Sequence, residues 1–442
     1  MDKFLRALAF LAAVSVVLAI GLVVYDYLQV KERFPAQTFI GNANVSGLDQ
    51  AAAYEKLNQL ELSAVYSPLI TFEADGLAFS FSPEALGLYI DNQATTNNAF
   101  KLTHQDGYLS ELKERIERGV IRCPLILGVQ ESSLVDVVEA LAAEVNSTAR
   151  DASVILYEES GGYHIEPEVP GRMVQVAKTL ALFKERLAQG SVVFPLVIEY
   201  ETPRVTEKML RAAPPVRRLS AYTTYYGAHD SPNRIHNIKL VASWINGTLL
   251  MPGDTFSVAD TLGEITPERG FKEAYVIVQG VLTPLLGGGS CQIATTLYNA
   301  VQLSDLKILQ RKSHSMYFNI YPLGRDAGVY PGQLDFKFEN DTAFPILIKA
   351  VATNRRLSFR VYGTPNGKSV KFSYPVVYML TENGYVPSTV KAVLAADAPF
   401  KTVVVRTVSD ASGKELKTET ITSFYKLYGE KTNVPIARPE PR

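Results

Sequence analysis

The chain has 442 residues, 47% hydrophobic and 20% charged, which describes a foldable sequence longer than one domain and excludes a disordered one. Lys and Arg number 44 against 45 Asp and Glu, and with a net charge of −1 and no basic stripe the composition argues against a nucleic-acid partner. The 2 cysteines, Cys123 and Cys291, cannot build a disulfide framework, and the 5 histidines include no pair at zinc-ligand spacing, so neither a metal nor another cofactor is expected.

Residues 1–6 carry Lys3 and Arg6. An uncharged run, Ala7–Tyr25, then spans about 28 Å at 1.5 Å per residue, close to the thickness of a bilayer core. It ends at Val23-Val24-Tyr25-Asp26 with no A-x-A cleavage pattern nearby, so it reads as an uncleaved signal anchor rather than a cleaved peptide. Lys3 and Arg6 hold the short tail in the cytoplasm, although Lys31 and Arg33 pull the other way. The expectation is a single-pass protein of the cell membrane. A linker at 26–38 follows the anchor, and the bulk of the chain is extracytoplasmic.

Two stretches with one grammar come next, 39–120 and 121–203. In the first, Asn44–Asp49 leads into a helix over Gln50–Leu60, and strands at Pro68–Glu73 and Leu77–Ser82 flank the turn Ala74-Asp75-Gly76. Pro83–Leu88 precedes a helical tract, Thr96–Arg118. In the second, a strand at Pro124–Val129 leads to a helix over Ser132–Val145. Ala152–Tyr157 and Gly162–Ile165 form a hairpin. Pro167–Val174 precedes a helix over Val176–Leu187, and Val192–Tyr200 alternates as a strand. The recurring order predicts an internal repeat of small domains.

The third stretch, 204–365, carries the chemistry. Arg234–Leu240 opens a helix that holds Trp244, and Ala274–Val278 reads as a strand. Gly287-Gly288-Gly289-Ser290-Cys291-Gln292 then runs into a helical pattern through Ala300, with Ile293, Ala294, Leu297, Tyr298 and Val301 at helical spacing. Lys307–Ile320 alternates and reads as a strand carrying His314. Gln333–Phe338, Pro345–Ala350 and Leu357–Tyr362 are further strands. At 366–430, Thr402–Ser409 and Glu415–Thr422 flank a turn at Asp410–Gly413, and a proline-rich tail at 431–442 reads as disordered.

Glycines let a backbone turn sharply and approach a ligand, and a thiol at a helix start sits in the positive end of the dipole, which favours thiolate. Cys291 is therefore a candidate nucleophile and His314 its candidate base, since such pairs meet in space rather than in sequence. The backbone N–H groups of the Gly287, Gly288, Gly289, Ser290 and Cys291 loop suit a developing oxyanion. Asp326 and Ser315 are both candidates to orient the imidazole. Arg234 and Arg325 are candidates to hold substrate carboxylates, with Asn237 and Gln292 beside them, and salt bridges are the alternative use of the two arginines. Cys123 lacks such surroundings and reads as a buried core residue.

Residues Arg234 and Asn237, Asn246-Gly247, Pro252-Gly253, Phe256-Ser257, Gly287-Gly288-Gly289 with Cys291-Gln292, Thr295–Ala300, Arg311 with His314-Ser315, Gly324 with Asp326-Ala327, and Asp335 with Phe338 together resemble a VanW domain over about 219–363. Val258-Ala259 and Glu264-Ile265-Thr266 depart from the usual pattern. Val45–Leu48 with Leu86-Gly87, and Pro167-Glu168 with Gly171, resemble the peptidoglycan-binding modules that precede VanW domains in Gram-positive surface proteins. The resemblance implies an α+β protein: an anchor, two small α+β modules, an α+β VanW-like domain and a β-rich extension. It also implies peptidoglycan, by its stem peptides and its glycan, as the partner, and a link to glycopeptide resistance. The leading expectation is Cys291-dependent acyl transfer on stem peptides, an L,D-transpeptidase-type cross-link. The alternative is a non-catalytic wall-binding or scaffold protein, and redox sensing through Cys291 is a third reading.

Overall fold

A computed structural model describes residues 2–65, 68–104, 107–158, 160–227, 230–278 and 281–426. The proline-rich tail at 431–442 lies outside the described residues. The chain is α+β with an N-terminal apolar helix and a β-rich C-terminal region, and it divides into two units, Met1–Ala149 with Pro170–Thr202, and Arg150–Val169 with Pro203–Arg442.

The first unit begins with the helix Asp2–Val30, whose stretch Phe4–Val30 is long and apolar enough to cross a membrane. Asp49 caps the helix Gln50–Asn58, its Oδ1 accepting from Ala52 N at 2.8 Å, and Ala53 and Leu57 are buried. The hairpin Ile70–Ala74 to Leu77–Phe81 turns through Asp75 and Gly76, with φ of 47° and 82°. Two consecutive positive φ values give the primed turn that matches strand twist. The tract expected as one helix over Thr96–Arg118 is two, Asn92–Thr103 and Tyr108–Arg118. Gly107, at φ 81°, is non-helical and starts the second.

Three strand pairings in this unit cross the boundary expected near residue 120. Thr38–Ile40 runs parallel to Ile121–Cys123, Val193–Pro195 runs parallel to Ile70–Ala74, and Leu88–Ile90 pairs antiparallel with Leu127–Val129. The core crosses with them: Phe72 stacks on Phe183 at 5.6 Å, and Leu86 and Leu88 bury against the same cluster as Leu134 and Val138. The repeating grammar of the sequence is therefore expressed as shared sheets.

In the second unit, a four-stranded antiparallel sheet has the order Arg217–Tyr225, Arg356–Gly363, Ile346–Ala352, Thr248–Leu250. Its apolar side buries Leu357, Phe359, Val361, Ile346 and Ile348 against the helices Pro232–Ile245 and Ser290–Leu303. The hairpin Ser153–Tyr157 to Gly162–Glu166 belongs here: Val154 and Ile165 pack with Val205, Leu210, Leu347 and Tyr362, and Glu158 pairs with Arg360. A second sheet joins Thr255–Ser257, Lys337–Glu339 and Lys307–Gln310. The C-terminal sheet is five-stranded. Its turn at Asp410–Gly413 lies where the sequence puts it, between Phe400–Ser409 and Glu415–Tyr425.

One expected strand is corrected. Lys307–Ile320 is a strand only over Lys307–Gln310, and His314 sits on irregular chain. From Arg311 onward the backbone turns to Asp326 instead of a neighbouring strand: Arg311 Nε donates to the Asp326 carbonyl at 2.7 Å, and His314 N donates to Asp326 Oδ2 at 2.7 Å. Likewise Gln333–Phe338 is a turn leading into a short strand, Lys337–Glu339.

Candidate functional site

The glycine run is held from two sides. Gly287 and Gly289 take φ values of 85° and 111°, a region that costs an L side chain strain. Gly288 has no room for a side chain, because an added Cβ would lie 2.7 Å from Ala274 Cβ and 2.8 Å from the Tyr275 carbonyl oxygen. At Gly289 it would lie 2.7 Å from Ile238 Cγ1. Asn237 ties the loop down: Nδ2 donates to the Gly288 carbonyl at 3.0 Å and to the Lys272 carbonyl at 2.8 Å, while Oδ1 accepts from Lys272 N at 2.9 Å. At 1% exposure, Asn237 holds the loop and presents nothing to solvent.

The cysteine helix, Ser290–Leu303, starts at this loop and is buried on all sides from Gln292 to Gln302. Most polar groups inside it are hydrogen-bonded, as burial demands, while Asn299 Oδ1 and Gln302 Oε1 have no partner among the described residues. Thr296 Oγ1 meets Thr224 Oγ1 at 2.7 Å. Thr295 Oγ1 accepts from Ala327 N at 3.0 Å, and Asn299 Nδ2 donates to the Arg325 carbonyl at 2.8 Å. Helix and histidine loop are thereby fastened at adjacent turns.

These fasteners bring Cys291, His314 and Asp326 together. The Cys291 sulfur and the His314 imidazole lie close enough for charge on one to stabilise charge on the other. His314 Nδ1 lies 2.6 Å from Asp326 Oδ2, which leaves Nε2 for the sulfur. The ring is clamped by Tyr321, stacked at 5.3 Å and 19°, and by the edge of Phe318 at 5.3 Å. Asp326 is 3% exposed and is held on its other oxygen by Tyr425 Oη at 2.6 Å and Arg311 Nη2 at 3.4 Å. Cys291 is half-buried, its Sγ 3.7 Å from the Val329 carbonyl.

The electrostatics favour an ion pair. Burial pushes the Cys291 thiol up, but the charge of His314 and the hydrogen bond to it, with Arg234 further off, bring it below its ordinary value. Burial alone would lower His314; the Cys291 and Asp326 partners outweigh it and hold the imidazole at about 10. Burial likewise opposes ionisation of Asp326, and the His314 bond and charge win, leaving its carboxyl below the usual range.

At the loop, Ser290 N donates to the Gly287 carbonyl at 3.3 Å and Gln292 N to the Gly289 carbonyl at 3.0 Å. The N–H groups of Gly287, Gly288, Gly289 and Cys291 have no backbone partner among the described residues, and Gly289 and Cys291 flank the start of the helix. Arg234 pairs with Asp230 at 3.0 Å and donates to Gln292 Oε1 at 2.7 Å, so both of these expected substrate contacts are engaged within the protein. Arg325 lies over the rings of Phe372, at 4.2 Å, and Tyr222. Ser315 is exposed, and its carbonyl accepts from Lys426 N at 2.7 Å. Of the two candidates to orient the imidazole, Asp326 is the one that touches it. Tyr425 was not legible as a partner, because it lies far along the chain in a strand of unremarkable pattern. A cleft of about 590 Å³ opens beside the loop, lined by Asp260, Glu264, Ile265, Tyr330 and Gly332. Ile265 packs on Gly287, and Tyr330 follows Val329. Among the described residues no cluster of His, Cys, Asp and Glu converges as a metal would require.

Residues 233–362 match the family model described as "VanW like protein", and residues 79–194 match the one described as "Putative peptidoglycan binding domain". Over 148 residues, 34% of this chain and 48% of the relative, the sequence is 40% identical to the uncharacterized protein YoaR of Bacillus subtilis (strain 168). Over 115 residues, 25% of this chain and 42% of the relative, it is 33% identical to the vancomycin B-type resistance protein VanW of Enterococcus faecalis (strain ATCC 700802 / V583). The chain thus spans about half the length of the curated relatives it matches. No solved structure matches it.

Proposed function

We propose that this chain, which carries a VanW-like domain behind a peptidoglycan-binding domain, is a single-pass membrane protein that binds peptidoglycan outside the cytoplasmic membrane. The match of residues 79–194 carries this reading, and the apolar helix Asp2–Val30 supports the anchor. The test is co-sedimentation: the detergent-solubilised full chain pellets with purified sacculi and is released by soluble muropeptides. A chain that stays in the supernatant overturns the reading. In the expected result Cys291→Ala binds as the wild type does.

A second reading is favoured by one observation, the Cys291–His314–Asp326 constellation. In it the Cys291 thiolate attacks a carbonyl carbon in a stem peptide, and the oxyanion takes hydrogen bonds from the Gly289 and Cys291 N–H groups. Collapse breaks the C–N bond. The departing amine receives the proton that His314 Nε2 carries, leaving an acyl-thioester on Cys291. A second stem amine, giving a cross-link, or water, giving hydrolysis, then attacks the thioester while His314 takes the proton. Asp326 holds the ring so that Nε2 faces the sulfur throughout. Intact-mass measurement with stem peptides checks this: an acyl adduct on the wild type, absent in Cys291→Ala, is expected. Wild type without any adduct or turnover sinks catalysis and leaves wall binding standing.

A further inference from the structure

The helix Tyr108–Arg118 presents an apolar stripe that joins none of the buried clusters among the described residues, with Leu112 partly exposed. Leu109 and Ile116 are 71% and 75% exposed. At about 100° per residue, Leu109, Leu112 and Ile116 fall within roughly 60° of arc. Tyr108 and Arg115 share a neighbouring face, about 20° apart. That second face docks on the apolar N-terminal helix at its outer end. Tyr108 Oη lies 2.6 Å from Asp26 Oδ2 and 2.9 Å from the Val23 carbonyl, and Arg115 Nη2 lies 2.8 Å from Asp26 Oδ2. The Tyr108 ring also meets Tyr27 edge-on at 5.2 Å.

These contacts fix a depth. The uncharged run ends at Tyr25, so Val23 and Asp26 bracket the level where hydrocarbon gives way to headgroups, within about 5 Å of one another along the helix. A tyrosine with its ring against an anchor helix and its hydroxyl on the first charged residue suits that layer. The helix it begins therefore starts at that level, and Arg115 two turns on still reaches Asp26.

We infer that Tyr108–Arg118 is an interfacial helix that seats Leu109, Leu112 and Ile116 in the outer leaflet; this rests on the reading of Asp2–Val30 as the membrane anchor. The occupant of the stripe is lipid, because the stripe is continuous with the anchor's own lipid-facing surface through Tyr108. Lys113, Arg115 and Arg118 are balanced by Glu111, Glu114 and Glu117. Attraction to anionic headgroups is therefore not the driver, and buried apolar area is.

The test reconstitutes the full chain in phosphatidylcholine vesicles with and without brominated acyl chains. Tryptophan replaces Leu109, Ile116 or, as a control about 130° from the stripe's centre, Ser110. The wild-type signal, which comes from Trp244 alone, is subtracted. Brominated lipid is expected to quench Leu109→Trp and Ile116→Trp at least twofold more than Ser110→Trp, with little change between low and high salt. Equal quenching at all three positions, in a chain that resists carbonate extraction from the vesicles, overturns the interfacial helix and leaves the anchor intact. A chain extracted by carbonate overturns both. Quenching that is absent in phosphatidylcholine and appears only when anionic phosphatidylglycerol is mixed into the same vesicles overturns the apolar mechanism.

Discussion

Tyr425 donates a 2.6 Å hydrogen bond to Asp326 Oδ1, and the two residues lie 99 positions apart. The carboxylate behind the histidine is thus held by a strand outside the segment that matches the VanW family, residues 233–362. A hydrogen bond to a buried charge contributes about 1.5–3 kcal/mol. Tyr425→Phe is expected to lower the stability of the second unit by about that amount, read from urea unfolding. An unchanged midpoint would mean Arg311 alone suffices to hold Asp326.

Alkylation of Cys291 at neutral pH should be faster than that of an ordinary thiol, because the thiol sits below its ordinary value and His314 stays protonated up to about 10. In His314→Ala burial acts without that partner, so the rate should climb only above the free-thiol value of about 8.5 and be roughly tenfold slower at pH 7. Peptide mapping after iodoacetamide treatment reads both, with buried Cys123 as the unreactive reference.

Asp326 should contribute to the acid limb of stability, as should Glu158, Asp305 and Glu419, whose carboxyls also lie below the usual range. The folded value of Asp326 is depressed, so its contribution is present above the unfolded value of about 3.9 and is lost as pH falls through the lower folded one. The sign for His314 is opposite: its contribution is complete below about 6.5 and is lost as pH rises through about 10. Asp326→Asn should make the acid limb shallower and bring the loss of the His314 contribution to lower pH, checked by urea midpoints from pH 3 to 10.

Gly288→Ala should cost about 1–3 kcal/mol, since the new methyl meets backbone at Tyr275 rather than a side chain that can swing away. Gly332, also a loop glycine but with nothing within 4 Å of an added Cβ, should lose only about 1 kcal/mol on the same change, from its φ of 79°. Thermal unfolding of the two variants side by side decides this.

Much of the site was legible because glycine and cysteine carry local signals. The run Gly287–Gly289 announces a turn, and the apolar spacing after Cys291 announces a helix, both of which the structure contains. His314 was legible by type but not by setting. The alternation after Lys307 looks like a strand, yet Asp326 offers the backbone a better acceptor than a neighbouring strand does. Choosing Asp326 over Ser315 needed the fold, since both lie within reach along the chain. The buried polar stripe Gln292, Thr295, Thr296 and Asn299 was invisible to periodicity, which scores only apolar positions. The pairing of strands across residue 120 was hidden for a related reason: a repeat in sequence says nothing about which copy supplies the neighbouring strand.

That cross-pairing bears on what a single cut would do. Gly119 lies at the end of a helix, exposed, with φ of 71°, a natural place for a protease to enter. Yet the pieces on either side share three strand pairings and one aromatic core. Nicking there is expected to yield two fragments on a denaturing gel and one particle in solution. The first unit should not fold from either piece expressed by itself until the complement is added, whereas the second unit lies wholly in the C-terminal piece.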